Sequence, residues 1–154
     1  MIEYIRPSSI EPDTELCEFL KGEDISVVSA NGSAQKVAIY SDWERPTNNI
    51  PTDFIVVFVN GDIGGVGMDT NFAEGYLMVS LYCKMNDDGS VKANRIKKIL
   101  AQLDNLVEKR VTENYYFEYD APRFITPTTP NQTSGYSVTT LNLKWHTRNN
   151  FNSE

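Results

Sequence analysis

The feature that most constrains the fold is an uninterrupted apolar run, FIVVFV, at residues 54–59. The run is too short for a buried helix and rich in β-branched residues, so it predicts a central β-strand covered on both faces. Residues Gly75–Lys84 predict a second strand, since apolar side chains occupy both of its alternating faces. These strands need cover on two sides, and a partner subunit could supply one of the two layers.

Two helices are predicted beside this sheet. Pro12–Lys21 begins with residues suited to a first helical turn and contains a short apolar stripe that includes Leu16 and Leu20. A longer helix is predicted from about Val91 to Lys109, with Ser90 as its N-cap. Its apolar residues recur at steps of three and four positions, and they are Ile96, Ile99, Leu100, Leu103, Leu106 and Val107.

The remaining periodic segments predict further strands. Ile25–Ser29 and Lys36–Ser41 flank Asn31-Gly32, a dipeptide that favours a tight hairpin turn. Val111–Tyr119 is rich in aromatic residues, and Gly135–His146 alternates an apolar face with a polar face that would see solvent. This order predicts an α+β fold, with an antiparallel or mixed β-sheet and one long and one short helix packed on one face.

Two segments are predicted to be mobile loops within a single domain of residues 1–154. The segment near 61–73 contains four glycines, and the segment near 120–134 contains three prolines. Structureless stretches of this length inside a compact domain usually have a function. We therefore take eight residues of these segments as interface candidates: Asp62, Ile63, Val66, Met68, Phe72, Phe124, Ile125 and Thr128.

Motifs that would support catalysis or ligand binding each fail a specific test. The glycines at Gly61–Gly67 lack the GxGxxG spacing and the following Lys-Ser or Lys-Thr of a phosphate loop. Residues 86–89 lack the later glutamate of a calcium loop. His146 is the only histidine and has no Ser or Cys near it in sequence, and Cys17 and Cys83 are predicted to be unpaired and buried. We expect no catalytic, cofactor-binding or metal-binding residue and no enzyme activity.

The charge of the chain limits its partners. A formal net charge of −7 repels phosphate, which argues against nucleic-acid binding over a broad face. The first residues lack the basic region and apolar run of a signal peptide. The longest apolar run is too short to cross a bilayer. We expect a protein made in a cytoplasm with no membrane contact.

The order of the predicted elements resembles the tail terminator proteins of long-tailed bacteriophages and the related head–tail joining and tail completion proteins. The resemblance rests on the short first helix, the strand pair, the strand GYLMVSLYCK at 75–84, the long helix and the closing strand YSVTTLNL at 136–143. It covers roughly Pro12 to His146. Such proteins share an order of elements, so no catalytic residue and no cofactor is implied.

The resemblance implies a structural virion protein that forms a homo-oligomeric, hexameric ring at the head-proximal end of the tail tube. The ring would end tube polymerisation and join the tail to the head–tail connector protein, with the tail tube protein as its other partner. DNA would pass through the lumen without specific binding, which suits an acidic surface. The two predicted loops would be the docking elements. Localisation would be the virion tail or neck, after synthesis in the host bacterial cytoplasm.

Two alternatives remain open. A head completion or connector subunit on the portal side would share the layout, and only its neighbour would distinguish it. A small ligand-binding domain or enzyme is an alternative of a different class, and it would need a pocket with convergent polar groups. Ligands that bind only the native state raise its stability, so a thermal-shift screen separates this class from an assembly protein.

Overall fold

The computed structural model describes residues 12–28, 32–41, 50–65, 73–125 and 135–147 of the chain. Its helices are α1 (Pro12–Gly22) and α2 (Ala93–Val107). Its strands, in chain order, are β1 (Ser26–Val28), β2 (Ala34–Lys36), β3 (Ala38–Ser41), β4 (Asp53–Gly65), β5 (Ala73–Lys84), β6 (Arg110–Val111), β7 (Tyr115–Ile125) and β8 (Tyr136–Thr147). Neither of these helices is long and apolar enough to cross a membrane.

Six of the strands form one mixed sheet in the order β3-β4-β5-β8-β7-β6. β3 runs parallel to β4, and every other neighbouring pair in this sheet is antiparallel. β1 and β2 form a separate antiparallel pair. The predicted α+β fold with a mixed sheet is confirmed.

The core lies between the helices and one face of the sheet, which we name the first face. Side chains of alternate residues of β4, β5 and β8, such as Ile55, Val79 and Leu141, point to this face and are fully buried. The predicted helix stripes pack against them, with Leu16 and Leu20 from α1 in the same cluster. α2 contributes four buried residues, Ile96, Ile99, Leu103 and Val107. Both helices therefore cover the first face, because their apolar stripes have no other described surface to bury against.

The predicted hairpin around Asn31-Gly32 is the β1–β2 pair, which the side chain of Gln102 fastens to α2. Gln102 Nε2 donates to the Ser26 carbonyl at 2.8 Å, and the Ser26 amide donates to Gln102 Oε1 at 3.1 Å. The predicted strand over Lys36–Ser41 is divided in the structure. Val37 donates its amide to the Ile25 carbonyl at 2.8 Å, and the chain joins the large sheet only from Ala38 onward.

The start of the long helix differs from the prediction, because α2 begins at Ala93 and Ser90 is not its N-cap. The N-cap position is Lys92, which makes no side-chain capping hydrogen bond. The Ser90 hydroxyl instead donates to Asp88 Oδ1 at 2.6 Å and accepts from Asn86 Nδ2 at 2.9 Å. These bonds close the turn before the helix, and the bonds from Ser90 lower the pKa of the Asp88 carboxyl.

The strand predicted over Val111–Tyr119 is a hairpin, with a turn between β6 and β7. The Thr112 amide donates to the Tyr115 carbonyl at 2.9 Å and closes this turn. Asn114 donates from its backbone amide and from Nδ2 to the Glu15 carboxylate at 2.8 and 3.0 Å. The hairpin is thereby tied to α1, a contact between residues 99 positions apart that no local pattern could reveal.

The predicted loops are shorter in the structure, because strands extend into both of them. β4 continues to Gly65, where residues 64–65 pair with residues 73–74 of β5 after a register shift. β7 continues to Ile125, where residues 124–125 pair with β8 after a second shift. Gly61 and Pro122 lie where the register shifts, which tolerates them, whereas Gly64 and Gly65 pair with β5. The rest of both predicted loops lies outside the described residues.

Candidate interaction surface

The side of the large sheet opposite the helices is its second face. Its side chains alternate with those of the core along β4, β5, β8 and β7. The described helices and the β1–β2 pair all join the core cluster on the first face. The second face is therefore the side of the sheet that the described helices do not cover, although Phe54, Val56, Ser80 and Asn142 on it are buried.

Burial on the second face decreases from β4 toward the far end of β5. Phe54 and Val56 of β4 are buried, so the prediction of a strand covered on both faces is confirmed for this part of β4. In the middle, Ser80 and Thr140 share a hydrogen bond of 2.9 Å between their hydroxyls. On β5 the prediction is wrong at Tyr76, whose side chain is 47% exposed. The alternation of the strand brings Tyr76 to the second face beyond the buried region.

Four aromatic rings pack together at one end of the second face. Phe54 stacks on Tyr82, with ring centroids 4.7 Å apart and planes 3° from parallel. Tyr136 and Tyr40 meet Phe54 edge to face at 5.6 and 6.0 Å. The Tyr136 hydroxyl donates to the Pro51 carbonyl at 2.7 Å, and burial raises the pKa of Tyr136. These rings pack against each other within the subunit, so we interpret this end of the second face as a structural cluster rather than a binding site.

The opposite end of the second face has charged side chains on three adjacent strands. His146 Nε2 lies 2.6 Å from Glu118 Oε2, and His146 Nδ1 lies 3.4 Å from Glu74 Oε2. Lys144 Nζ lies 3.4 Å from the same Glu74 oxygen. His146, predicted as a surface histidine, is thus partly buried among polar side chains, because antiparallel pairing places Glu74 directly opposite it.

These residues and two tyrosines form one patch, which we name the Tyr76 patch: Glu74, Tyr76, Tyr116, Glu118, Lys144 and His146. Tyr76 lies opposite Lys144 in the register, and Lys144 lies opposite Glu118. The Tyr116 ring lies 5.8 Å from the His146 ring. Protein interfaces typically have an aromatic residue such as tyrosine at the centre and polar or charged residues at the rim. The Tyr76 patch has this arrangement, with Tyr76 beside side chains that contact each other.

The interface candidates chosen from the sequence are not brought together as one described site. Asp62 and Ile63 lie in β4 at its register shift, and Phe124 and Ile125 lie in β7 opposite β8. Val66, Met68, Phe72 and Thr128 lie outside the described residues. The Tyr76 patch was missed by the sequence reasoning, although the alternation within Gly75–Lys84 indicated that Tyr76 lies on the face opposite Leu77.

A buried ion pair lies on the first face, at the start of β4. Arg95 Nε donates to Asp53 Oδ2 at 2.6 Å, and Arg95 Nη2 also contacts this oxygen. The Asp53 side chain is 4% exposed, so Arg95 compensates the cost of removing its charge from water. Hydrogen bonding to Asp53 raises the pKa of Arg95, which therefore stays protonated.

Cys83 lies opposite Asp53 in the strand register and is fully buried. Its pKa is raised to about 12, chiefly by burial and additionally by the neighbouring Asp53 carboxylate. A thiol with so high a pKa is a poor nucleophile at neutral pH. Cys17 is also buried, and neither cysteine is in a disulfide, as the sequence predicted.

We expect the stability of the protein to fall between pH 9 and 12 in a way that depends on Cys83. The unfolded thiol loses its proton near pH 9.0, whereas the folded thiol retains it to about pH 12. Above pH 9 the folded state therefore binds more protons, and unfolding becomes easier by up to about 1.4 kcal/mol per pH unit. Urea unfolding from pH 8 to 10.5 would show a shallower decline for Cys83→Ala than for the parent protein. Equal slopes would contradict the assignment.

No group of three or more His, Cys, Asp and Glu side chains within the described ranges is placed to hold a metal ion. Among known proteins, no family model matches the sequence, and no curated protein matches it.

Proposed function

We propose that this chain is a structural assembly subunit that contacts other protein subunits through the Tyr76 patch, in the manner of a phage tail terminator. The observation that supports the proposal most directly is Tyr76, a large side chain 47% exposed on a sheet face. Exposed tyrosines in such positions are enriched among residues that dominate binding energy. A ring subunit on a tail tube needs such a surface toward its neighbours.

The charges around Tyr76 also favour a protein partner. Glu74, Glu118, Lys144 and His146 hold each other by contacts of 2.6 to 3.4 Å. Side chains already ordered in the free protein lose less conformational entropy on binding, so association costs less. The patch contains both positive and negative side chains. Such a pattern contributes more to the specificity for a partner with complementary charges than to the binding affinity.

The ring proposal is tested by native mass spectrometry and negative-stain imaging of the purified chain, alone and with candidate partners. We expect closed rings of six copies that bind a tail tube protein. Binding to the head connector protein without binding to the tube would support the portal-side alternative instead. A chain that stays monomeric at tens of micromolar with both partners present would contradict an assembly role.

We expect Tyr76→Glu to weaken self-association or partner binding by roughly 30-fold or more, since losing a hot-spot residue costs about 2 kcal/mol. The unfolding midpoint should change little, because the side chain is half exposed in the free subunit. Val28→Glu is the matched control, since Val28 is 60% exposed in the separate β1–β2 pair. Equal losses for the two variants, measured by sedimentation velocity, would contradict a role specific to Tyr76.

A further inference from the structure

A small polar pocket lies between the β1–β2 pair, the segment before β4 and the first turn of α2. Its volume is about 290 Å³, near the lower end of the range for small-molecule sites. Both apolar and polar residues line it: Val27, Val37, Pro51, Gln35, Lys36, Thr52, Asp53 and Arg95.

Three sets of side-chain contacts hold the pocket walls in position. Gln102 fastens β1 to α2 through its paired hydrogen bonds with Ser26. Arg95 Nη2 donates to Gln35 Oε1 at 3.4 Å, which links α2 to β2. Lys36 Nζ donates to the carbonyl of Lys21 at 3.1 Å, at the end of α1. The pocket is thus formed before any ligand arrives, which lowers the entropy cost of binding.

Two positive side chains and one negative side chain line the pocket. Asp53 compensates only one positive charge, that of Arg95, so Lys36 leaves an excess of positive charge at the pocket in a protein of net charge −7. The Asp53 carboxylate contacts Nε and Nη2 of Arg95. Within the described ranges, no residue accepts a hydrogen bond from Nη1 of Arg95. The Arg95 side chain is 18% exposed, so its head is fixed by a buried carboxylate yet reachable.

We propose that this pocket binds a carboxylate with a short aliphatic stem. A guanidinium held by one carboxylate still offers planar N–H donors to a second, and Lys36 supplies a second positive charge. Val27, Val37 and Pro51 would contact the stem. Inorganic phosphate has no stem to contact these apolar side chains, so the pocket should favour the carboxylate over phosphate. Butyrate and the glutamate side chain of a peptide share this chemistry, and this site is independent of the Tyr76 patch.

The test is a titration of the full chain by heteronuclear NMR with three probes: butyrate, the blocked tripeptide acetyl-Gly-Glu-Gly-amide, and inorganic phosphate. We expect saturable shifts at Gln35, Val37 and Thr52, with a Kd on the order of millimolar for the carboxylates, as befits a few-atom ligand. Binding of butyrate and peptide alike would indicate a site for free acids. Binding of the peptide alone would indicate a site for an acidic side chain of another protein. Either result supports the proposal.

The decisive variants are Lys36→Gln and Lys97→Gln, which remove the same charge from exposed positions. Lys97 is on α2 near Arg95 but does not line the pocket. We expect Lys36→Gln to weaken carboxylate binding about five- to tenfold and Lys97→Gln to leave it within twofold. Lys36→Gln also removes the bond from Lys36 Nζ to the Lys21 carbonyl, so Lys36→Arg, which keeps a positive charge and a donor, should keep the affinity within about twofold. Both positions of substitution are exposed, so the three variants should fold. The proposal is overturned if neither carboxylate saturates by 50 mM, if phosphate binds more tightly, or if both glutamine variants lose affinity equally.

Discussion

Replacing Trp145 with alanine is expected to lower the free energy of unfolding by about 3–5 kcal/mol, which is a large share of the stability of a small domain. Trp145 is fully buried on β8 and meets the Tyr115 ring edge to face at 5.8 Å. Removing the indole leaves a cavity between β5, β8 and β7 that the rigid sheet cannot collapse to fill. Chemical denaturation followed by circular dichroism would measure the loss.

The structure also predicts that the Trp145 effect is coupled to Gly75, which lies opposite it on β5. A Cβ added at Gly75 would lie 2.8 Å from Trp145 Cζ2 and 2.9 Å from Cε2, so the ring requires a glycine beneath it. Gly75→Ala alone should cost about 1–3 kcal/mol by overpacking. In the Trp145→Ala background the same substitution should cost nothing or stabilise, because alanine is favoured over glycine within a strand.

Trp145→Phe is the conservative control for this pair. It keeps an aromatic ring in the space above Gly75 and removes an indole N–H that has no hydrogen-bond partner among the described residues. We expect it to retain most of the stability lost in Trp145→Ala. If the losses from Gly75→Ala and Trp145→Ala simply add in the double variant, the close approach of the two residues is wrong.

Arg95→Met is expected to destabilise the protein by about 3–5 kcal/mol, because it leaves a buried carboxylate without its compensating charge. Asp53 is 6% exposed as a residue, and its Oδ1 has no hydrogen-bond partner within the described part of the chain. The pair is therefore more sensitive to loss of the cation than an exposed ion pair, whose removal costs about 1 kcal/mol or less. Thermal and urea unfolding at pH 7 would measure the change.

The double variant Asp53→Leu with Arg95→Met separates charge burial from packing. Apolar residues of similar volume frequently replace a buried ion pair with no loss, so the double variant should regain at least about 2 kcal/mol over Arg95→Met. Lys97→Met removes a charge from an exposed position of the same helix, and its effect should stay within about 0.5 kcal/mol. A double variant less stable than Arg95→Met would show that the pair contributes through specific geometry rather than through charge compensation.

Local patterns predicted most of the elements. The stripe from Ile96 to Val107 located α2 to within two residues at each end, because one buried face of a helix repeats every three to four positions. The apolar run at 54–59 located the central strand. The wrong prediction of Ser90 as the N-cap concerns hydrogen bonds whose partners compete within a few residues of each other.

The candidate surface was predicted less well than the fold. Asp62, Phe124 and the other interface candidates were chosen because glycine and proline mark loops. Pairing with β5 and β8 draws the first parts of both segments into strands instead. His146 had no partner in its own sequence neighbourhood, and Glu74 and Glu118 reach it only across the sheet.

The sequence by itself determined most of the helices and strands and which of their faces are apolar. The run at 54–59 is again the example, since its composition predicts a strand covered on both faces, and residues 54–57 are buried. Only the tertiary structure decided that β3 joins β4 in parallel, that Arg95 compensates Asp53, and that Tyr76 lies exposed within a network of charges. The reason is physical: periodicity reports the local environment of one element, whereas strand order and ion pairing depend on contacts between residues tens of positions apart.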